Sequence, residues 1–131
     1  MPTAQEIEEL TAFLPILYAN GLSPVKRWEG GEKQKNGSTT MPYPTYEKVV
    51  EDFFRVAANE YWLDYEYNPT QAGEMLRNEN FIRSASLEQI KTMLTFCVRG
   101  ERFSDGHWGA MIEEGYIRRI LERLIEINSN L

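Results

Sequence analysis

Two capping boxes, Thr3-x-x-Glu6 and Ser86-x-x-Gln89, stand directly ahead of apolar residues repeated at helical spacing. In such a box the hydroxyl accepts from the backbone N–H three residues on, and that residue's side chain accepts from the cap's own N–H. Two otherwise unpaired donors are thereby satisfied. Behind the first box Ile7, Leu10, Leu14 and Leu17 share a face, and behind the second Leu87, Ile90, Met93, Leu94 and Cys97 do so. A third stripe, Ile117, Ile120, Leu124 and Ile127, is widened by Leu121 and Ile125. Strands alternate faces every second residue and cannot satisfy a period of 3.6. The expected fold is therefore mainly α. It is a single-domain bundle over residues 1–131, with five or six helices and an irregular or β-hairpin insertion at about 22–44.

The stop signals divide the chain. A first helix from about Ala4 to Ala19 meets Pro15, which implies a kink or break near Leu14, and Asn20-Gly21 ends it. A second, roughly Tyr46 to Glu60, turns Val49, Val50, Phe53, Phe54 and Ala57 inward. Asn68-Pro69 opens a short third helix through about Arg77. A fourth runs from Ser86 to about Val98 and is closed by Gly100. Asp105 or Ser104 caps a fifth over His107 to Glu114, and Gly115 separates it from a last helix, Tyr116 to about Ile127. Between Leu22 and Pro44 the periodicity vanishes. Asn36-Gly37 is a strong hairpin signal, pairing Val25–Trp28 with Ser38–Met41; the alternative is an ordered loop anchored by Trp28, Met41 and Tyr43. A lone hairpin is marginal in water, so either form is expected to lean on the helices.

At 131 residues, 42% hydrophobic and 26% charged, the chain suits one soluble domain. No apolar run approaches the ~18 residues of a membrane span. The acidic start, Met1 to Glu9, does not read as a secretory signal, so a cytoplasmic protein is expected. The single cysteine, Cys97, lies in an apolar helical run and reads as a buried thiol. A net charge of −6 argues against a nucleic-acid binder. The charge is uneven: residues 51–88 hold eight acids against three bases, and 24–48 hold five bases against three acids.

The densest chemistry lies in Val98-Arg99-Gly100-Glu101-Arg102-Phe103-Ser104-Asp105-Gly106-His107-Trp108-Gly109. Two arginines beside a helix N-terminus suit a phosphate or carboxylate, which makes Arg99, Glu101, Arg102, Asp105, His107 and Trp108 the candidate ligand-binding set. The competing reading is a structural corner in which Arg99 and Arg102 are buried and paired with Glu101, Asp105 or backbone carbonyls, with Phe103 and Trp108 in the core. The spacing is not a phosphate loop. No second His or Cys completes a transition-metal site, so neither a metal nor a cofactor is expected. His107 is the only imidazole and reads as a capping or partly exposed residue before it reads as a general base. Glu60, Asp64 and Glu66, interleaved with Tyr61, Trp62, Tyr65 and Tyr67, read mainly as a solvated face beside core aromatics.

Met41-Pro42-Tyr43-Pro44-x-Tyr46, taken with Val98-Arg99-Gly100-Glu101-Arg102-Phe103-x-Asp105-Gly106-His107-Trp108 and Gly115, resembles the bacterial and archaeal domain-of-unknown-function family 6508. The resemblance spans roughly Ala12 to Leu124. It implies a shared fold and a shared hot spot, with no activity attached. The expected function is that of a non-enzymatic cytoplasmic interaction or regulatory protein. It is expected to be homodimeric through the narrow seam Ile117, Ile120, Leu124 and Ile127. The alternative is a small anionic-ligand-binding or hydrolytic protein with its site at the 99–108 connection.

Overall fold

In the computed structural model, which describes residues 1–130, both capping boxes form. Thr3 Oγ1 accepts from the Glu6 N–H at 3.2 Å while Glu6 accepts from the Thr3 N–H at 2.8 Å; Ser86 and Gln89 repeat the pattern at 3.2 and 2.9 Å. They open α1 (Ala4–Thr11) and α6 (Leu87–Arg99). Pro15 has no N–H and its ring clashes with the carbonyl four residues back. Accordingly α1 stops at Thr11, and a single turn, α2 (Leu14–Leu17), carries the proline in its own first turn. The remaining helices are α3 (Lys48–Ala57), α4 (Pro69–Arg77), α5 (Glu79–Arg83), α7 (His107–Glu113) and α8 (Tyr116–Ser129), with 3-10 turns at Glu60–Trp62 and Gly100–Arg102.

The chain is mostly helical, at 58%. Seven helices of five residues or more are present among the described residues, with the α2 turn besides, so the expected five or six is an undercount. The missed element is α5. Asn78 ends α4, and its Oδ1 then accepts from the Phe81 N–H at 3.1 Å to start α5, one side chain acting as both stop and start.

α8 packs against α1, α5, α6 and α7. Ile117, Ile120, Leu121 and Leu124 are all fully buried there, joined by Ile7, Leu10, Phe53, Phe54, Trp62, Ile90, Met93 and Leu94. The stripe read as a dimer seam therefore faces the chain's own core. Only Ile125 of that helix's large apolar residues stays exposed.

The insertion is a hairpin, with a different register from the expected one. β1 (Val25–Glu29) pairs antiparallel with β2 (Tyr43–Tyr46), Trp28 opposite Pro44, through a bulge between Val25 and Arg27. Asn36-Gly37 does form the tip. Gly37 donates to the Gln34 carbonyl, Gln34 to that of Ser38, and Lys33 bridges Thr39. The ribbon simply extends further: Gly31 donates to the Thr40 carbonyl at 2.7 Å, so Ser38–Met41 face the outer arm rather than Val25–Trp28. The ribbon leans on the helices, as expected, but only at its base. Val25 and Tyr46 pack on Gly109, and Trp28 on Gly106, but every residue from 30 to 43 is exposed.

Candidate functional site

The α6–α7 corner is built by each helix capping the other. A helix ends with unpaired N–H groups at its start and unpaired carbonyls at its finish. α7 begins at Gly106, whose φ of 91° suits only glycine without strain, and no neighbouring side chain caps it. Glu101 takes that role from the end of α6. Its Oε2 accepts from the Gly106 N–H at 3.1 Å and its Oε1 from the Trp108 N–H at 2.8 Å. The Tyr46 hydroxyl donates to the same Oε1 at 2.8 Å and accepts from the Gly109 N–H at 3.4 Å. The negative carboxylate thus sits at the positive end of the α7 dipole. Neither Asp105 nor Ser104 is the side-chain cap that the sequence suggested; Ser104 contributes its carbonyl to the His107 N–H instead.

The opposite end of the joint is closed by α7. His107 Nε2 donates to the Phe96 carbonyl at 3.2 Å, which assigns the proton to that nitrogen, and Trp108 Nε1 donates to the Val98 carbonyl at 2.9 Å. The His107 ring lies edge-on to Phe96 and directly over Gly100, where any Cβ would fall within the imidazole. Gly100 has an ordinary helical φ of −61°, so its reason for being glycine is this close approach and not the end of the helix. Burial holds the His107 pKa below its usual value, against the opposing pull of the Phe96 hydrogen bond and of Glu101. Burial first, then the hydrogen bond to Glu101, keeps the Tyr46 hydroxyl protonated far above neutral pH.

Three of the six candidate side chains, Glu101, His107 and Trp108, are therefore brought together as a brace. The others point elsewhere. Arg99 lies over the Tyr65 and Tyr67 rings, 5.7 and 5.5 Å from their centroids, and not on Glu101. Arg102 is exposed, without an ion pair among the described residues. Asp105 is exposed too, so the expected Arg–Glu–Asp network is absent, because α7's backbone is a closer and better-placed partner for Glu101. Phe103, expected in the core, is 84% exposed; Trp108 is packed, stacked on Phe54 at 4.6 Å and 5°. Beside that stack, Val98, Ala58, Arg55, Glu51 and Arg102 line an open cleft of about 460 Å³. No group of three or more His, Cys, Asp or Glu is placed to hold a metal ion among the described residues.

The sequence alone singles out neither Tyr46, whose position reads as the start of a helix, nor Phe54 as the Trp108 platform. The one local signal for Tyr46 was its place at the end of the Met41-Pro42-Tyr43-Pro44-x-Tyr46 run.

Fold and corner together define a class: a small helical domain with a projecting β-arm, fastened at one joint by mutual helix capping. The chain belongs to the family of unknown function DUF6508, whose sequence model matches residues 2–130. No curated protein and no solved structure matches it. No helix among the described residues is long and apolar enough to cross a membrane.

Proposed function

We propose that this chain is a non-enzymatic interaction or regulatory protein of the cytoplasm that works as a homodimer. One observation carries the reading. The acid–base side chains of the corner, Glu101, His107 and Tyr46, are each engaged with backbone groups or with one another. A general base has to reach a substrate proton, and His107 is half-buried in the joint with its Nε2–H held by the Phe96 carbonyl. The Cys97 thiol is fully buried and burial raises its pKa, which removes it as a nucleophile; a lone free thiol suits a reducing compartment. The outward side chains of the same corner, Arg102 and Phe103, are of the types that dominate protein interfaces.

The test is affinity capture with the tagged chain and its Arg102→Glu/Phe103→Ser variant. A partner held stoichiometrically by the parent and lost by the variant, at an unmoved melting temperature, is the expected result. Equal recovery by both excludes the corner as the docking face. Turnover across a hydrolase substrate panel that falls with Glu101→Gln would show an enzyme instead.

A second reading, a small anionic ligand at the cleft, is favoured by Arg102, whose guanidinium stands without an ion pair among the described residues beside the Phe54–Trp108 stack. Benzoate or phosphate would then raise the melting temperature of the parent and not of Arg102→Ala. The hydrolytic form of that reading draws no support from the site, for the reasons given for His107 and Cys97.

A further inference from the structure

We propose that the β-arm, residues 30–43, is a self-association element that docks on the groove beside α6 of a second copy of this chain. The proposal rests on the homodimer reading above and supplies its surface, which α8 does not. A two-stranded ribbon unsupported by other structure is marginal in water. Here only the base of the ribbon meets a helix, and everything from residue 30 to 43 stands in solvent. The arm and its base also leave large apolar side chains exposed: Met41 is 80% exposed, Trp28 54% and Tyr43 49%.

Charge selects the occupant. Residues 24–48 carry five bases against three acids in a chain of net −6, so the rest of the molecule carries −8. The arm tip holds Lys33 and Lys35, both exposed. A groove of the body, about 670 Å³, is lined by Leu63, Asp64, Tyr65, Glu66, Glu88 and Lys91 among others. Asp64 is held in place there, accepting from the Thr92 hydroxyl at 2.7 Å and from the Glu66 N–H at 3.1 Å. The groove therefore joins an exposed aromatic and an aliphatic floor to an excess of carboxylates, the complement of an arm carrying Met41, Tyr43 and two lysines. A polyanion such as RNA fits the arm alone and is repelled by the acidic body. Each arm reaching the other copy's groove closes the pair on a two-fold axis, the commonest symmetry of soluble dimers.

The experiment is a reciprocal charge swap read by sedimentation. The arm variant is Lys33→Glu/Lys35→Glu and the groove variant is Glu66→Lys/Glu88→Lys. All four positions are exposed, so far-UV spectra should be unchanged. The parent should sediment at twice the 15.3 kDa chain mass. Each variant alone opposes like charges and should weaken self-association by on the order of 100-fold. An equimolar mixture of the two restores both attractive contacts and should restore the dimer. A dimer that persists in both single variants overturns the arm while leaving self-association intact, and a mixture that stays monomeric overturns the groove as its seat. A parent that is monomeric up to millimolar concentration overturns the arm and the homodimer reading together, leaving the interaction reading to its own capture test. Retention of a fluorescent single-stranded RNA by that monomer, lost in the arm variant, would assign the arm to nucleic acid instead.

Discussion

Glu101 and Arg102 are neighbours in the chain with opposite fates. The first accepts from two backbone N–H groups and a tyrosine hydroxyl, and the second faces solvent. Their truncations should separate sharply in a melting experiment. Glu101→Ala strips the cap from α7 and leaves the Tyr46 hydroxyl without its acceptor, a cost of about 2–4 kcal/mol. Arg102→Ala should lie within about 0.5 kcal/mol of the parent, as surface substitutions usually do. A comparable loss for Arg102→Ala would mean that its guanidinium has a partner in solution. The sequence alone favoured the opposite outcome for Arg102, because acids lie on both sides of it at Glu101 and Asp105. Nearness in sequence does not reveal that a backbone N-terminus five residues on is the better partner. His107 adds a pH dependence. Its folded-state pKa is lowered, so between the folded value and the unfolded value of about 6.5 the unfolded chain binds more protons than the native one. Its contribution is present above about pH 6.5 and is lost as pH falls through the folded pKa. Melting temperatures of the parent should drop between pH 7.5 and 5 by more than those of His107→Gln, whose amide keeps a donor for the Phe96 carbonyl. Parallel profiles for the two would show the imidazole is not responsible.

Among the elements, most helix starts were legible, those of α7 and α8 included, and what was not legible was the side chain that caps those two. Thr3–Glu6, Asn68-Pro69 and Ser86–Gln89 each placed a helix start correctly, because cap and helix lie within four residues of one another. α7 and α8 both start at a left-handed glycine that has no side chain to cap with; α7 takes its cap from Glu101, a turn or two back, and α8 from far along the chain. For α8 it is Tyr18, whose hydroxyl accepts from the Arg118 N–H at 3.0 Å and donates to the Ile112 carbonyl at 2.8 Å. One phenol thus closes the end of α7 and the start of α8. Burial leads in raising its pKa to about 12, against the lowering pull of Arg118. Tyr18→Phe keeps the ring, unpairs the Arg118 N–H and leaves the Ile112 carbonyl to the Gly115 N–H, and should cost about 1–3 kcal/mol, read as a lower denaturation midpoint at unchanged slope. A midpoint equal to the parent's would show that water replaces the hydroxyl. The ribbon was legible at its tip and not in its register. Asn36-Gly37 forms a turn on local chemistry, but the pairing of Trp28 with Pro44 depends on Gly106 and Gly109 receiving the base of the ribbon from 60 or more residues away.

At the scale of the whole molecule, an apolar stripe states how much surface a helix has to bury and leaves open what buries it. Ile117, Ile120, Leu121 and Leu124 have the spacing of a dimer seam, and other helices of the same chain cover them. The covering helices come from both ends of the sequence, α1 from the first residues and α5, α6 and α7 from the second half, so α8 acts as the central post of the fold. Damage to the post should therefore appear as lost stability and not as a change of oligomeric state. Leu124→Ala removes a fully buried side chain against α8's neighbours and should cost about 2–5 kcal/mol. That loss should appear as one cooperative transition, because a single core joins all the elements it touches. Sedimentation of the still-folded fraction should match the parent at equal concentration. Were α8 instead an exposed seam, the same substitution would weaken association and hardly move the melting temperature of the dilute chain. The two readings of the stripe thus give opposite results in one pair of measurements, and complete burial of Leu124 selects the first.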